Sequence, residues 1–140
     1  YWKETAEFAK AHGIKKIALG HHFDDTVETF MLNLFFEGRI GCYSPKTYLS
    51  NRKITVIRPL IYAEERDVSY FAKKRELPIK KNPCPEDRNT EREVMKNRLY
   101  ALEKEMPGLK HRIFHAMCKG EVDGFSLFGR FPDAGEINED

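Results

Sequence analysis

Apolar residues recur along this chain at two spacings, and each spacing predicts a different kind of secondary structure. Two short apolar runs, residues 16–20 and 54–57, are bounded by turn-forming residues and are typical of buried strands. Elsewhere apolar residues recur three or four positions apart, which predicts amphipathic helices. These helices are expected at residues 1–12, 24–37, 64–75, 89–106 and 109–119. The polar stretch between residues 38 and 53 contains Gly, Pro and Asn, so it is predicted to be a loop.

Alternation of helices and strands predicts an α/β fold with a parallel sheet. Two parallel strands leave sheet edges and faces uncovered, so we expect a partial sheet that a preceding segment or another chain completes. The pattern divides the chain into an α/β part at residues 1–86, a helical segment at 87–119 and an acidic, flexible tail at 120–140.

Composition limits the class of protein. The chain has 140 residues, 41% of them hydrophobic and 33% charged, which is enough for one domain or part of a larger one. No apolar stretch approaches the roughly 20 residues of a membrane span. The three cysteines, Cys42, Cys84 and Cys118, form no close pair, which favours a reducing, cytoplasmic setting. Because the chain begins with Tyr1 rather than Met, we expect a processed product or part of a longer protein.

Charge is distributed unevenly although the net charge is only +2. Residues 72–119 carry 13 Lys and Arg against 7 Asp and Glu, whereas residues 120–140 carry 1 against 6. A basic segment of this kind indicates either an anionic partner such as nucleic acid or an ordinary solvated helix surface. Both interpretations stay open on charge alone.

The segment with the clearest chemistry is residues 20–28, which read GHHFDDTVE. It follows the first strand, and ligands of open α/β sheets bind at the carboxyl ends of strands. Two histidines and three carboxylates could hold a hard cation, and the adjacent helix N-terminus favours phosphate. A structural alternative is a capping box formed by Asp25 and Glu28, with Asp24 favourable to the helix dipole. Capping does not explain adjacent histidines followed by adjacent aspartates, so we favour a functional site.

Residues 17–29, IALGHHFDDTVET, resemble the GHHxDDxxET signature of PP-loop ATPases that modify tRNA. Residues 56–62, VIRPLIY, are similar to the next block of those enzymes. tRNA 2-thiocytidine synthetases and tRNA-lysidine synthetases carry both blocks. Cys84 and the following Asn89, Arg92 and Val94 match the thiolating branch, and the resemblance extends over roughly residues 1–118. It implies part of an adenine nucleotide alpha hydrolase-like (PP-loop, Rossmann-like) domain with C-terminal helices.

This resemblance also implies an activity and a set of site residues. Such enzymes adenylate a tRNA cytidine with ATP and then replace the activated oxygen with sulfur, using Mg²⁺ and a [4Fe-4S] cluster. By position, Asp24 and Asp25 are the implied catalytic and Mg²⁺-binding residues, Gly20, His21 and His22 the nucleotide-binding residues, and Cys84 the cluster ligand. Residues expected to contact tRNA are Lys80, Lys81, Arg88, Arg92 and Lys96.

Two motifs of the resembled family do not occur in this sequence: the SGGxDS pyrophosphate-binding loop and the Cys-x-x-Cys pair. We therefore expect the C-terminal part of such an enzyme, inactive alone, with an unidentified sulfur donor. The bare sheet edge makes a homodimer the expected assembly. Three alternatives stay open: a lysidine-type ligase, a metal-dependent phosphohydrolase built on the HHxDDxxE cluster, and a non-catalytic RNA-binding module.

Overall fold

The computed structural model describes residues 2–79, 88–120 and 122, and the side chains among them from residue 4 and again from residue 91. Cys84, Lys80, Lys81 and most of the acidic tail lie outside these ranges. The described elements, in chain order, are α1 (Trp2–Ala11), β1 (Lys16–Ala18), α2 (Phe23–Phe36), β2 (Lys46–Leu49), β3 (Ile54–Ile57), α3 (Glu65–Lys74), α4 (Arg88–Glu105) and α5 (Leu109–Lys119). The predicted α/β class is confirmed.

Three strands form a mixed sheet in the order β1-β3-β2. The two predicted strands pair in parallel, with Ile17 opposite Val56. The prediction of a loop throughout residues 38–53 was wrong, because β2 pairs antiparallel with β3 and places Thr47 opposite the same Val56. The strand has no apolar alternation to reveal it: its one buried side chain is that of Thr47. The strand is formed by its backbone pairing with β3, and a tight turn follows in which Lys53 adopts a φ of 53°.

A small core joins α1 to the sheet. Ala6 and Ala9 of α1 pack with Ile17 and Ile54, and all four are buried. The short alanine side chains let the helix backbone approach the strands closely. Gly13, with a φ of 66°, then turns the chain from α1 towards β1, a conformation that glycine adopts without steric cost.

A larger core joins α2 to the C-terminal helices. Val27, Met95 and Met117 come from α2, α4 and α5 respectively, and none is more than 1% exposed. The helical segment predicted at residues 87–119 therefore packs directly on α2 in one continuous core. Its description as a separate unit stays a prediction, and so does the flexible tail. Within the described ranges, none of the five helices has both the length and the apolar character of a membrane span.

The N-terminus of α2 differs from the predicted capping box. α2 begins at Phe23, so Asp25 is the third helical residue and Glu28 lies deeper in the helix. His22 is the N-cap: its Nδ1 accepts a hydrogen bond from the Asp25 amide at 3.3 Å, and Asp25 accepts one from the His22 amide at 3.0 Å. The reciprocal pair of a capping box is present, but the partners are His22 and Asp25.

Candidate functional site

The GHHFDDTVE segment forms the turn between β1 and α2, at the carboxyl end of β1. Because β1 and β3 are parallel, the segment after β3 emerges at the same edge of the sheet. The two segments are joined where the Phe23 amide donates to the Ala63 carbonyl at 2.9 Å. Gly20 is exposed, and a Cβ placed on it would meet no described atom within 4 Å. This edge is the position at which ligands of open α/β sheets bind.

His21 is held by two side chains that follow α2 in the sequence. Its ring stacks on that of Tyr43 with 4.7 Å between centroids, and its Nδ1 accepts a hydrogen bond from Arg58 Nε at 3.3 Å. Burial, and then the neighbouring Arg58 guanidinium, lower the pKa of His21. The imidazole is therefore neutral at pH 7, and its proton lies on Nε2 because Nδ1 accepts.

Arg58 is a site residue that the sequence interpretation did not single out. It follows β3, and its guanidinium lies over the Tyr43 ring at 4.5 Å from the centroid. Its Nη1 also donates to the Ser44 carbonyl at 2.5 Å and to Thr47 Oγ1 at 3.4 Å. Strand β2 and the loop before it therefore position Arg58 beside His21. Its place in the VIRPLIY block was the one signal in the sequence.

Asp24 is buried and makes polar contacts to protein through both carboxylate oxygens. Oδ2 accepts the Glu65 amide at 2.7 Å, which caps the first turn of α3 from outside that helix. Oδ1 is 2.5 Å from Lys110 Nζ of α5. Burial raises the pKa of Asp24, but the two hydrogen bonds and the lysine charge outweigh burial and hold the pKa below its ordinary value.

Asp25 has a different environment. Its carboxylate accepts from the His22 amide and lies 3.3 Å from His22 Nε2, and about a quarter of the side chain is exposed. Consecutive helical residues point about 100° apart, so Asp24 and Asp25 face different partners. The carboxylate of Asp25 fits a Mg²⁺ ion that takes its remaining ligands from phosphate and water. Asp24 could serve as a ligand only if Lys110 were displaced.

Glu28, the third carboxylate, is 5% exposed. Its Oε2 lies 3.5 Å from Arg92 Nη1, and Arg92 Nη2 donates to Thr29 Oγ1 at 3.0 Å. Burial raises the pKa of Glu28 to about 7, because the neighbouring Arg92 guanidinium compensates only partly for lost hydration. Glu28 and Asp24 border a cleft of about 320 Å³ whose other walls include Glu65, Lys96, Leu99 and Lys110.

The predicted metal-binding and RNA-contacting residues lie partly inside and partly outside the described ranges. In the part of the chain that the structure describes, no three His, Cys, Asp or Glu side chains are grouped closely enough to hold a metal ion. Arg92 is ion-paired with Glu28, and Lys96 Nζ lies 2.6 Å from Glu65 Oε1. The side chain of Arg88 and the whole of Lys80 and Lys81 lie outside the described residues. The tRNA contacts of all five residues stay predictions.

Iron–sulfur clusters are ligated by thiolates, usually four. Cys42 and Cys118 are both buried, and burial raises the pKa of each, that of Cys42 to about 12. The Cys42 thiol donates to the Thr26 carbonyl at 3.6 Å, so it is a protonated packing residue. Neither thiol fits a cluster, and the predicted ligand Cys84 lies outside the described residues. One cysteine does not make a complete cluster site.

Sequence relatives match the chain over most of its length. A tRNA-cytidine(32) 2-sulfurtransferase of Dichelobacter nodosus is 45% identical over 113 residues, which are 80% of this chain and 42% of that protein. The protein of the same name from Marinobacter nauticus is 42% identical over 115 residues, 81% of this chain and 38% of the relative. The chain thus spans about two fifths of the length of these relatives.

A solved structure of a tRNA thiolase and a family model also match this chain. The U34-tRNA thiolase NcsA from Methanococcus maripaludis, solved with its [4Fe-4S] cluster, matches with a TM-score of 0.65 and 25% identity over 84% of this chain and 40% of that chain. Residues 3–103 match the family model of the PP-loop domain. The predicted resemblance to PP-loop enzymes of the 2-thiocytidine type is confirmed, and the chain belongs to the PP-loop domain family.

Proposed function

We propose that this chain forms part of the catalytic centre of an ATP-dependent enzyme that replaces an oxygen of a tRNA cytidine with sulfur. The observation that carries the proposal is the GHHFDDTVET segment at the carboxyl edge of the parallel strands, in a PP-loop chain whose relatives are named for this reaction. In the first step the cytidine oxygen attacks the α-phosphorus of ATP and pyrophosphate leaves. In the second, sulfur attacks the activated carbon and AMP leaves.

Nucleotide binding is assigned to Gly20, His21 and His22, with Arg58 added. Two early amides of α2 are already used within the protein, that of Phe23 by Ala63 and that of Asp25 by His22. Contacts to phosphate are therefore expected chiefly from side chains. His21 offers its Nε2 proton, Arg58 supplies positive charge beside it, and His22 acts through the cap that holds Asp25.

Asp25 is the aspartate assigned to the reacting phosphates. It is more accessible than Asp24, and among the described residues His22 is the one basic side chain within ion-pair distance of it. Mg²⁺, when bound, neutralises charge on the pyrophosphate leaving group. Asp25 would supply one carboxylate ligand to that ion, while Asp24 holds the helix terminus in place. No step is assigned to the cluster.

The test is Asp25→Asn in the protein expressed from its complete natural gene. We expect tRNA-dependent pyrophosphate release and 2-thiocytidine formation to fall by about a hundredfold or more, because removing a charge that acts on the transition state costs that much. Asp67→Asn is the matched control, since Asp67 is an exposed carboxylate on α3 that lies 3.7 Å from Arg66. Gly20→Ala tests whether the nucleotide approaches the backbone at Gly20. The added methyl group meets no described protein atom, so folding should be unchanged, but it should obstruct the nucleotide and raise the KM for ATP.

Activity of Asp25→Asn within a few fold of the wild type would contradict the assignment. The two other enzyme classes remain distinguishable: a lysidine-type ligase would keep its activity in Cys84→Ser, and a phosphohydrolase would release phosphate without tRNA. Salt-sensitive tRNA binding with no pyrophosphate release would favour the RNA-binding module. The sulfur donor, the homodimer and the cytoplasmic location stay predictions.

A further inference from the structure

The turn between α4 and α5 is fixed by one carboxylate. Glu103 Oε1 accepts the Gly108 amide at 2.7 Å, and Oε2 accepts the Lys110 amide at 2.9 Å. Gly108 adopts a φ of 82°, a conformation that is strained for residues with a side chain and is available to glycine without steric cost. The first turn of α5, which carries Lys110, is therefore held rigidly against the end of α4.

Lys110 extends this connection to the candidate site. Its Nζ reaches Asp24 Oδ1 at 2.5 Å, and only about a quarter of the lysine side chain is exposed. Two aromatic contacts place α5 beside the start of α2: the Phe23 ring lies 4.6 Å from that of His111 and 4.9 Å from that of Phe114. The lysine is thus one part of a packed contact between the two helix N-termini.

Asp24 also contacts α3, because its Oδ2 accepts a hydrogen bond from the Glu65 amide. Polar contacts therefore run without interruption from Glu103 through Lys110 and Asp24 to Glu65, and they join four helices. The next residue after Asp24 is Asp25, on the same first turn of α2. A rotation or retreat of this turn would move the Asp25 carboxylate and its His22 cap together.

We propose that Lys110 is a positioning residue for the catalytic centre: its ammonium group fixes Asp24, so that α5 sets the orientation of the turn that carries Asp25. The proposal rests on the proposed function, and it adds a residue outside the signature segment. Lys110 itself does not contact the reacting atoms. Its effect is expected on the rate of adenylation, because small displacements of a catalytic group reduce turnover more than they reduce ground-state binding.

The experiment compares Lys110→Met, Lys110→Arg and Lys119→Met in the complete protein, with pyrophosphate release measured at varied ATP. Lys110→Met keeps most of the unbranched side chain and removes the ammonium group with its charge. We expect kcat to fall by about ten- to a hundredfold with KM for ATP changed by no more than about threefold. Lys110→Arg should recover most of kcat, and Lys119→Met, on the exposed last turn of α5, should match the wild type.

A double-mutant cycle separates positioning from general destabilisation. If Lys110 acts through Asp24, Lys110→Met should lower kcat little further in an Asp24→Asn background. Glu103→Gln provides a second test, because it weakens the turn between α4 and α5 and leaves the Lys110–Asp24 contact itself unchanged. Its kcat is expected to fall less than that of Lys110→Met. Wild-type kcat in folded Lys110→Met, or equal additive losses in the cycle, would overturn the proposal.

Failure of this proposal can be told apart from failure of the proposed function. An inactive Asp25→Asn beside a fully active Lys110→Met leaves the function standing and removes the positioning role. A fully active Asp25→Asn removes the proposed function itself. Circular dichroism and urea unfolding of each variant establish that the compared proteins are folded.

Discussion

At the scale of single residues, the three carboxylates in the first two turns of α2 differ in what surrounds them. Asp24 is buried with a lysine and an amide, Asp25 is part-exposed beside a histidine, and Glu28 is buried beside a weakly placed guanidinium. Burial penalises a charged carboxylate unless hydrogen bonds compensate. The compensation is complete for Asp24 and incomplete for Glu28, so their pKa values move in opposite directions.

Glu28 should make stability depend on pH. Its folded pKa, about 7, is above its unfolded value of 4.5, so the folded state binds more protons between these two values. Stability due to this group is fully present below about pH 4.5 and is lost as the pH rises through 7. Glu28→Gln should therefore raise the free energy of unfolding relative to the wild type at pH 8, by up to about 3 kcal/mol, and not at pH 4.5.

Urea unfolding at the two pH values measures this difference. Glu93→Gln is the control, because Glu93 is exposed on α4 and should show no such dependence. A Glu28→Gln variant that is destabilised equally at both pH values would mean that the Arg92 ion pair outweighs the cost of burial.

At the scale of elements, α2, α4 and α5 hold the site through a shared apolar core. Met117 is fully buried among them, whereas Met106, the residue that follows α4, is 43% exposed. Met117→Ala should lower the free energy of unfolding by about 2–5 kcal/mol, because it removes transfer free energy and leaves a cavity. Met106→Ala should lower the free energy of unfolding by less than about 1 kcal/mol. Equal decreases in unfolding free energy for the two variants, measured by denaturant titration, would show that the two positions are packed alike.

The elements could be predicted wherever burial leaves a periodic pattern. Helices α1, α2, α4 and α5 and strands β1 and β3 have such a pattern, and the parallel pairing followed from the helix between the strands. Helix α3 was predicted from the spacing of its apolar residues, although none of its residues is buried. β2 could not be found, because the backbone pairing that forms it leaves no mark on side-chain hydrophobicity. Apolar spacing alone does not fix burial within a helix: in α2, Val27 is fully buried, whereas Leu34 and Phe35 are exposed.

The candidate site could be predicted only within its own segment. Its local sequence identified His21, His22, Asp24 and Asp25, since adjacent histidines and aspartates have little structural reason to occur together. The residues that complete the site are distant in sequence: Arg58 is 37 positions from His21, and Lys110 is 86 from Asp24. Spacing along one chain contains no information on such tertiary neighbours.

At the scale of the whole molecule, the described surface carries many large apolar side chains. Phe35 and Phe36 end α2, Ile40 lies in the loop that follows, and each of the three is more than half exposed. Contiguous exposed apolar surface generally marks a contact with another protein surface. The isolated 140-residue chain should therefore associate as its concentration rises.

Sedimentation velocity over a range of concentrations tests this expectation. Phe35→Ser combined with Phe36→Ser should shift the distribution towards monomer, while Tyr100→Ser, an exposed aromatic on α4, should not. A concentration-independent monomer would count against both self-association and the predicted homodimer.

The Arg58–Tyr43–His21 stack has a consequence for how the site would respond to its medium. Arg58 keeps its charge at every physiological pH. Burial, and then the Arg58 charge, lower the pKa of His21, so the positive charge and the directional hydrogen-bond donor of this corner belong to separate groups. A site that attracted phosphate with a protonated histidine would lose affinity as the medium became alkaline. A nucleotide held at this corner would instead meet the fixed charge of Arg58, and the part of its affinity due to that charge would not fall as the medium became alkaline.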